Sequence, residues 1–588
     1  MKKLFAMLLV VALVVAMAAG CSEKSNNPGD SKASVHPKTA EEIAAAEAEI
    51  RYAIGLLLDR NYIVEQISQA GEMPANTFVA DGMADNGGTN FAANANGGKG
   101  YFSVEAGDYS ANAKEGFEIL KKYYDYVNGK FVGFPKLTYI YNTNDNHQKI
   151  GEYIQSTLAK YGITVELQNQ EWATFLDTRK NGDYSVARNG WVADYTDPIC
   201  FLDMWVTVSG NNDVQFGKGS HKDLAVYNLD LTDLGYEVKV EKGTWAETYD
   251  VLISTIKGCT DAEKRFEMMH IAEDMLMATG CLTPIYYYTD LYMIDESVEG
   301  FYSIPLGYKY FQNTTVNGKG DSIAVCLASE PDSLDPALNS AVDGATMLVH
   351  LFAGLAKWTE EGIVADCAEE LVEGVVNEDG TVTYTYTLKS GMKWSDGKAV
   401  TAKDFEFAWK RAASAELGAD YGYMFEVVKG YGTDNKDDLA VKALNDTTLE
   451  VTLANAVSYW DELLAFPTYF PVREDVVANE AWATDPSTYV CNGPYTLSAW
   501  EHNSVITLTK NANYHGAADV TMNEIKCYLS DDAANMLTNF RNGDWQLIDD
   551  VPSAEIPNLK ADAEFVITGQ IGTYYVCWNI NESLLPKK

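Results

Sequence analysis

The sequence has little positive charge for its length. Its 588 residues include 44 Lys and Arg against 84 Asp and Glu, which gives a net charge of −40 at pH 7. Because this excess of negative charge repels phosphate backbones and acidic lipid headgroups, it argues against a nucleic-acid-binding protein and against a basic membrane-surface protein.

The sequence also lacks the common catalytic and metal-binding motifs. None of its seven His forms an HExxH pair or has zinc-ligand spacing, and none of its nine Cys forms a CxxC pair. A GxSxG elbow, a Walker A loop and a GxGxxG fingerprint are all missing. We therefore expect a protein that is not an enzyme and that uses no metal and no cofactor. Carboxylates are abundant enough for a glycosidase pair, so a surface glycan hydrolase stays open as the enzymatic alternative.

The first twenty residues have the layout of a secretory signal peptide. Two lysines precede an uncharged run at residues 4–20, which is shorter than the about 20 apolar residues that span a membrane. Small residues precede Cys21 as in a bacterial lipobox, although Ala18 stands where Leu is usual. We predict a signal peptide at residues 1–20, lipidation of Cys21 and a flexible tether at residues 21–44. The protein would then be lipid-anchored outside the cytoplasm; secretion with an unmodified Cys21 is the alternative.

The rest of the chain has the composition of a globular protein, with 47% hydrophobic and 22% charged residues. One helix or two short ones are predicted over residues 41–68. Helical and strand patterns then alternate over residues 113–187, which is typical of a mainly parallel sheet with helices on its faces. The pattern changes to short strands and turns over residues 375–510, where Thr401 is predicted to cap a helix. We predict an α/β protein of at least two lobes with an added β-rich module.

One short segment carries a candidate ligand site. Residues 187–198 read Ala-Arg-Asn-Gly-Trp-Val-Ala-Asp-Tyr-Thr-Asp-Pro and follow a predicted strand. In open α/β sheets ligands bind at the carboxyl ends of strands. Arg188 and Asp194, separated by an apolar spacer, have the charges to hold the two ends of a zwitterion. The alternative is structural: Asp194 caps a helix, Trp191 lies in the core and Arg188 pairs with a neighbouring acid.

This segment resembles the motif of oligopeptide-binding proteins, the solute receptors of peptide ABC importers. Other similar segments are Ser-Glu-Pro-Asp-Ser-Leu-Asp-Pro at 329–336, Leu-Lys-Ser-Gly-Met-Lys-Trp-Ser-Asp-Gly at 388–397, Val-Thr-Ala-Lys-Asp-Phe at 400–405, Cys-Asn-Gly-Pro-Tyr at 491–495 and Gly-Thr-Tyr-Tyr at 572–575. The chain is identified as a member of the extracellular solute-binding protein family 5. This resemblance implies a periplasmic-binding-protein type II, two-lobe α/β fold of cluster C, with an extra β-rich domain.

The resemblance also implies the residues that hold the ligand. The acid matching Asp194 holds the peptide α-amino group, and the arginine matching Arg188 helps to receive a carboxylate. The peptide is expected to lie extended and to pair its backbone with strands. We expect the backbone groups of the four residues after Arg188 to line one wall of the site and two tyrosines to line the other. The alternative for the tyrosines is that they belong to the ordinary core of a strand. These residues are Asn189, Gly190, Trp191, Val192, Tyr574 and Tyr575.

The implied partners are an oligopeptide and the permease and ATPase of an ABC transporter, with the receptor acting as a monomer. Within the same fold, dipeptide, oligosaccharide, nickel and opine ligands are alternatives. The presence of both Asp194 and Arg188 favours a zwitterionic ligand over a sugar or a metal.

The order of the matching segments departs from the family. Residues 45–316 resemble the family's C-terminal half and residues 321–588 its N-terminal half, with one copy of each. We therefore expect a circular permutation, with residues 317–320 as a flexible joiner. A gene-assembly artefact, or a rearranged product that transports nothing, is the alternative.

The expected domains follow from this order. They are a distal lobe at residues 45–295, a proximal lobe at 296–365 and 488–588, and a β-rich domain at 366–487. Family members cross between the lobes twice. The new chain ends are expected to sever the crossing at residues 573–581, which would leave one covalent hinge and a looser open state.

Overall fold

The computed structural model describes residues 32–221, 225–327, 330–433 and 435–586. The predicted signal peptide and Cys21 lie outside these residues. The first helix begins at Ala40, inside the segment predicted as tether, because Thr39 and Glu42 form a capping box: the hydroxyl of Thr39 accepts from Glu42 N at 3.1 Å and the carboxylate of Glu42 accepts from Thr39 N at 3.2 Å. No helix of the described residues is long and apolar enough to cross a membrane.

The α-helices are numbered in chain order. They are α1 (Ala40–Leu56), α2 (Arg60–Tyr62), α3 (Phe91–Gly98), α4 (Tyr109–Tyr123), α5 (Asp145–Ala159), α6 (Trp172–Asn181), α7 (Ile199–Leu202), α8 (Trp245–Lys257), α9 (Ala262–Ala278), α10 (Val342–Leu351), α11 (Ala402–Ala412), α12 (Trp460–Leu463), α13 (Glu474–Val477), α14 (Ala533–Arg541) and α15 (Ile556–Leu559). A π-helix at Ile63–Ser68 follows α2. Short 3₁₀ turns occur at Asn86–Gly88, Asp203–Trp205, Gly219–His221, Thr232–Leu234, Gly422–Val427, Lys436–Asp438 and Pro467–Tyr469.

The strands are numbered in the same way. They are β1 (Met73–Pro74), β2 (Asp125–Val127), β3 (Lys130–Val132), β4 (Leu137–Asn142), β5 (Val165–Gln170), β6 (Val186–Val192), β7 (Ala225–Asp230), β8 (Lys239–Thr244), β9 (Leu282–Ile294), β10 (Val298–Glu299), β11 (Tyr302–Ser303), β12 (Lys309–Tyr310), β13 (Thr315–Val316), β14 (Ser322–Cys326), β15 (Ala356–Thr359), β16 (Gly362–Ala365), β17 (Val375–Val376), β18 (Val382–Thr387), β19 (Val441–Asn445), β20 (Thr448–Leu453), β21 (Tyr495–Glu501), β22 (Val505–Lys510), β23 (Glu524–Tyr528), β24 (Leu547–Ile548) and β25 (Phe565–Trp578).

An 11-stranded mixed sheet forms the centre of the molecule, in the order β21-β22-β23-β14-β24-β9-β25-β6-β4-β5, with β1 on β9. The pairs β4–β5, β4–β6, β14–β23 and β14–β24 are parallel, as the alternating helix and strand pattern predicts. The pairs that β25 makes with β6 and with β9 are antiparallel. The sheet therefore has a distal group, built on the parallel strands β4, β5 and β6, and a proximal group, built on the parallel strands β14, β23 and β24 with β21 and β22 added antiparallel at the edge. The antiparallel strands β9 and β25 join the two groups.

The two groups are joined by the longest strands of the sheet, β9 with 13 residues and β25 with 14. These strands pair from Phe565↔Met293 to Cys577↔Leu282, with a register shift between Gly569 and Thr573. At one end of this ribbon β9 pairs with β24, and at the other end β25 pairs with β6.

The expected loss of one crossing is therefore wrong, because β25 runs unbroken through the crossing. After β25, Leu584 N donates to Glu47 Oε1 at 3.1 Å and Tyr124 Oη donates to Leu584 O. Residues 572–578 of β25 pair with β6 of the distal group, although the predicted bounds assign residues 488–588 to the proximal lobe.

The β-rich module is an antiparallel sheet in the order β17-β18-β20-β19, against which α11 packs. The predicted cap of α11 is confirmed, because Thr401 and Asp404 form a capping box, with Asp404 Oδ2 accepting from Thr401 N at 2.7 Å. The cysteines of the described part of the chain are all buried and none forms a disulfide.

The predicted flexible joiner is an ordered hairpin turn. Asn317 and Gly318 have positive φ angles of 53° and 69°, as both central residues of a type I′ turn require. Val316 and Lys319 exchange two backbone hydrogen bonds, of 2.8 and 3.0 Å.

We expect Gly318→Ala to lower the free energy of unfolding by about 1 kcal/mol, because an L side chain is strained in the left-handed region. Gly258→Ala is the matched control, since Gly258 is exposed and has a φ of −82°. Chemical denaturation measures both variants. Equal stability of Gly318→Ala and the parent would show that this segment is flexible after all.

Candidate functional site

The carboxyl ends of strands from both groups of the sheet face each other across a crevice. Asn144, two residues after β4, donates from Nδ2 to Asp550 Oδ2, two residues after β24, at 2.9 Å. Lys149 on α5 donates to Ser553 Oγ at 2.7 Å across the same crevice. This is where ligands bind in open α/β sheets.

Arg188 of β6 lies on this crevice without a counter-ion. Its Cζ is 5.5 Å from the ring centroid of Tyr574, and Nη2 is 3.5 Å from the hydroxyl of Tyr288. Its Nε is buried without a hydrogen-bond partner, and no carboxylate of the described residues forms an ion pair with it. A partly buried cation in this state is costly unless a ligand supplies the negative charge.

Neutral polar groups surround the guanidinium. His147 Nδ1 and the hydroxyls of Tyr139 and Tyr574 are buried and have no hydrogen-bond partner. Burial, followed by the charge of Arg188, holds the pKa of His147 well below its usual range, so its imidazole is neutral. The sequence reasoning missed His147, although its place three residues after Asn144, the N-cap of α5, is a detectable signal.

Asp194 is the opposite case, a carboxylate without a cation. The residue is 8% exposed. Oδ1 accepts from the hydroxyl of Tyr421 at 3.1 Å, whereas Oδ2 is buried without a partner. Burial raises the pKa of Asp194 well above its usual range. Within the described ranges no Lys, Arg or His forms an ion pair with it.

The structural alternative for this segment is therefore wrong in two respects. Asp194 caps no helix, since α7 begins at Ile199 with Pro198 as its N-cap. Arg188 pairs with no acid of the described chain. Trp191 is buried at 8% exposure, as that alternative expected, with its ring 6.2 Å from Tyr421 and its Nε1 unpaired. Six residues at strand spacing place the Cα atoms of Arg188 and Asp194 roughly 20 Å apart.

The predicted two walls are in fact neighbouring strands. Tyr574 lies opposite Gly190 and Tyr575 opposite Asn189 in the antiparallel pair of β25 with β6. Consecutive strand residues point to opposite faces. Accordingly, Tyr574 stacks on Tyr286 at 4.7 Å on the Arg188 face, whereas Tyr575 contacts Phe78 at 5.0 Å on the other. Whether either tyrosine contacts a ligand stays a prediction.

One edge of β6 is open beside the charged residues. β4 pairs with β6 only at Val186 and Ala187. Ala193 N donates to Ile571 O at 2.8 Å, so the residues at alternate positions before it also bond to β25. The intervening residues Gly190 and Val192 therefore turn their main-chain groups to the open edge. The side chain of Asn189 donates from Nδ2 to Asp213 Oδ2 at 2.9 Å.

The ribbon of β9 and β25 between the two groups, together with the crevice, defines the class of protein: a two-lobe solute-binding protein. The model of the bacterial extracellular solute-binding proteins, family 5 (middle), matches residues 37–213 and 363–587, and the chain belongs to this family.

Curated relatives match this chain in part. The oligopeptide-binding protein OppA of Bacillus subtilis is 34% identical over 288 residues, which cover 46% of this chain and 52% of that protein. The dipeptide-binding protein DppE of the same organism is 33% identical over 260 residues, 43% of this chain and 47% of that protein. Listeria monocytogenes OppA bound to peptide is a solved structure with 29% identity and a TM-score of 0.37, covering 39% of this chain and 46% of that one. The chain thus spans about half the length of the curated relatives it matches.

We expect Gly190→Ala to destabilise the protein by about 1–3 kcal/mol, because the new Cβ overpacks the site. That atom would lie 2.1 Å from the hydroxyl oxygen of Tyr288. Adding Tyr288→Phe should restore part of the loss, since the nearest ring carbon would then be 3.0 Å away. A double-mutant cycle by chemical denaturation, with Tyr288→Phe alone as the control, measures this coupling. Strict additivity would contradict the contact.

We expect Asp194→Asn to melt above the parent at pH 8 when no ligand is bound. A carboxyl whose pKa is raised by folding stabilises below its unfolded pKa, about 3.9, and this contribution is lost as the pH rises through the folded value. The difference in melting temperature should therefore shrink toward pH 4. Exposed Asp531→Asn is the matched control. A difference that does not depend on pH would contradict the burial of an unpaired carboxylate.

Proposed function

We propose that this protein captures oligopeptides in the crevice between its two lobes and delivers them to the permease and ATPase of an ABC importer. It acts as a monomeric receptor without catalytic activity. The observation that carries the proposal is that Arg188 on β6 and Asp194, two residues after the end of β6, form no ion pair within the described ranges and each have a buried polar atom without a hydrogen-bond partner.

A zwitterionic peptide removes the cost of both charges at once. Its ammonium group pairs with Asp194, and a carboxylate pairs with Arg188 among the neutral groups of His147 and Tyr574. Burial of charged ends is favourable only when each is paired and hydrogen-bonded. Between the two ends, the peptide backbone can pair with the open edge of β6. Such pairing recognises main-chain groups and therefore tolerates many side chains.

The names of the relatives support the same ligand class, since OppA of Bacillus subtilis is an oligopeptide-binding protein. A dipeptide receptor is the second candidate, because DppE is named as a dipeptide-binding protein. An extended dipeptide spans at most about 7 Å. The longer separation of Arg188 and Asp194 favours longer peptides.

The protein is placed outside the cytoplasm and held by a lipid on Cys21. The signal-like leader and the small residues before Cys21 support the anchor, and the description of the family as extracellular supports the location.

The chain is a circular permutation of the family order. The reversed order of the motifs supports this, as does the partial match to each relative, because a collinear alignment can follow only one half of a permuted chain. The ordered turn at Asn317 and Gly318 joins the former termini. The lobes are then a distal lobe of residues 45–295 with 572–586, a proximal lobe of 296–365 with 488–571, and the β-rich domain of 366–487.

We expect the parent to bind hexaalanine, which spans about 20 Å when extended, about 10- to 100-fold more tightly than N-acetyl-hexaalanine, the range of a hydrogen bond to a charged group. Asp194→Asn should lose this preference because the ammonium then lacks its carboxylate. Isothermal titration calorimetry measures both peptides, with Asp531→Asn as the control. Equal binding of the two peptides by the parent would refute the role of Asp194.

A further inference from the structure

The β-rich module contacts the short segment that carries Asp194. We call residues 194–197 the docking segment. The ring of Tyr195 stacks on the ring of Tyr459 at 4.4 Å, with an interplanar angle of 9°. The hydroxyl of Tyr421 donates to Asp194 Oδ1 at 3.1 Å. Because Tyr421 and Tyr459 both lie within residues 366–487, the first two residues of the docking segment pack on the module although they directly follow β6 of the distal group.

The third residue of the docking segment, Thr196, makes two hydrogen bonds to one carboxylate of the module. Its backbone N donates to Glu462 Oε2 at 2.7 Å, and its hydroxyl donates to Glu462 Oε1 at 2.6 Å. Hydrogen bonds to a carboxylate are roughly twice as strong as those between neutral groups. Glu462 therefore fixes the main chain of the docking segment two residues beyond Asp194.

Glu462 is itself anchored in the core of the module. It lies on α12, whose first residue, Trp460, is 2% exposed. Trp460 Nε1 donates to the hydroxyl of Tyr386 on β18 at 2.8 Å. The ring of Trp460 also packs edge-on against Trp409 of α11, with 6.1 Å between the ring centroids. The carboxylate that binds Thr196 is thus presented by a helix that packs on the sheet of the module.

The last residue of the docking segment contacts both the module and the distal lobe. Asp197 Oδ2 accepts from Ser458 Oγ of the module at 3.4 Å. Asp197 also forms a two-point ion pair with Arg265 of α9, at 2.8 and 2.9 Å. For Asp194, by contrast, no described residue of the distal lobe donates a hydrogen bond to the carboxylate, since Tyr421 is its donor and Oδ2 has none. The direction of this carboxylate therefore depends on the module.

We propose that Glu462 is a positioning residue for the amino terminus of the ligand. By holding Thr196 it keeps the Asp194 carboxylate directed at the peptide ammonium group, so the β-rich module sets the selectivity for peptides with a free amino terminus. The inference rests on the proposed function and assigns part of its selectivity to a domain that contributes no strand to the central sheet.

This role differs from that of a contact that only holds the lobes together. A contact of the second kind favours the closed crevice whatever the ligand, so its loss weakens every peptide by the same factor. Loss of a positioning contact instead weakens peptides with a free ammonium group more than N-acetylated ones, because only the former use Asp194.

The contact can be removed without disturbing a core. Thr196 is exposed and Glu462 is half-buried, so Glu462→Ala opens no buried cavity. Asp461→Ala is the matched control, because Asp461 is the preceding residue of α12, is exposed and loses the same charge from the same helical turn.

The test measures the affinity of the purified full chain for hexaalanine and for N-acetyl-hexaalanine by isothermal titration calorimetry. Glu462→Ala should lower the ratio of the two affinities about 3- to 10-fold, the range of one ordinary hydrogen bond, through weaker binding of hexaalanine. Asp461→Ala should leave the ratio unchanged. Glu462→Gln should restore part of the ratio, since its amide oxygen still accepts from one of the two donors.

Thr196→Val tests the same contact from the other side, because it removes the hydroxyl donor and keeps the backbone donor. It should lower the ratio by less than Glu462→Ala does. In the Glu462→Ala background it should have no further effect, which a double-mutant cycle on the ratio measures.

An equal loss of affinity for both peptides in Glu462→Ala would show that the contact only holds the lobes together, and would overturn the positioning role. An unchanged ratio would overturn it as well, and in both cases binding of hexaalanine by the parent leaves the proposed function standing. Equal binding of the two peptides by the parent would overturn the roles of Asp194 and Glu462 together. Absence of binding of both peptides by the parent would overturn the proposed function itself.

Discussion

The antiparallel pairing of β9 with β25 is the constraint on which the rest of the structure depends. These strands carry the chain between the two parallel groups of the sheet, and their pairing sets how the groups face each other. Because β25 also pairs with β6, the same ribbon fixes the strand that holds Arg188. The ladder has two register shifts, between Gly569 and Thr573 and between Tyr574 and Tyr575. The first lies beside Ile571, whose carbonyl accepts from Ala193 N directly after β6, so the irregular part of the ribbon adjoins the candidate site.

The candidate site carries charges that the described chain does not pair. Arg188 and Asp194 each have a buried polar atom without a hydrogen-bond partner, and neither forms an ion pair within the described ranges. Other buried charged groups are paired, as Arg411 is with Asp335 at 2.6 Å, or are held by the backbone, as Glu273 Oε1 is by two N–H groups at 3.0 and 2.8 Å. A buried charge without a partner is costly unless it is neutralised or meets a group of opposite sign.

The parts of this structure that local physics decides could be predicted from the sequence. The alternation of helices and strands over residues 113–187, the cap at Thr401 and the parallel pairs of β4 follow from periodicity and side-chain chemistry. By contrast, the sequence could not show that Tyr574 and Tyr575 lie directly beside β6 and not on an opposite wall of the site. Their position depends on the pairing of β25 with β6, a strand that lies hundreds of residues away in the sequence. Asn144 and Asp550 meet across 406 residues of sequence, so no local pattern could predict this contact between the two groups.

Two covalent strands, β9 and β25, carry the chain between the two groups of the sheet, and both pair with their neighbours across the crossing. A cut within β25 would remove ladder hydrogen bonds from the ribbon and free one group from the other. The segment that follows β25 instead packs on one group, because Leu584 lies against Glu47 of α1 and Tyr124 of α4. In the other group, Val316 and Lys319 are joined by a two-residue turn whose φ angles Asn and Gly adopt readily. Neither segment therefore interrupts the ribbon, and the pairing of β9 with β25 alone sets the connection between the groups.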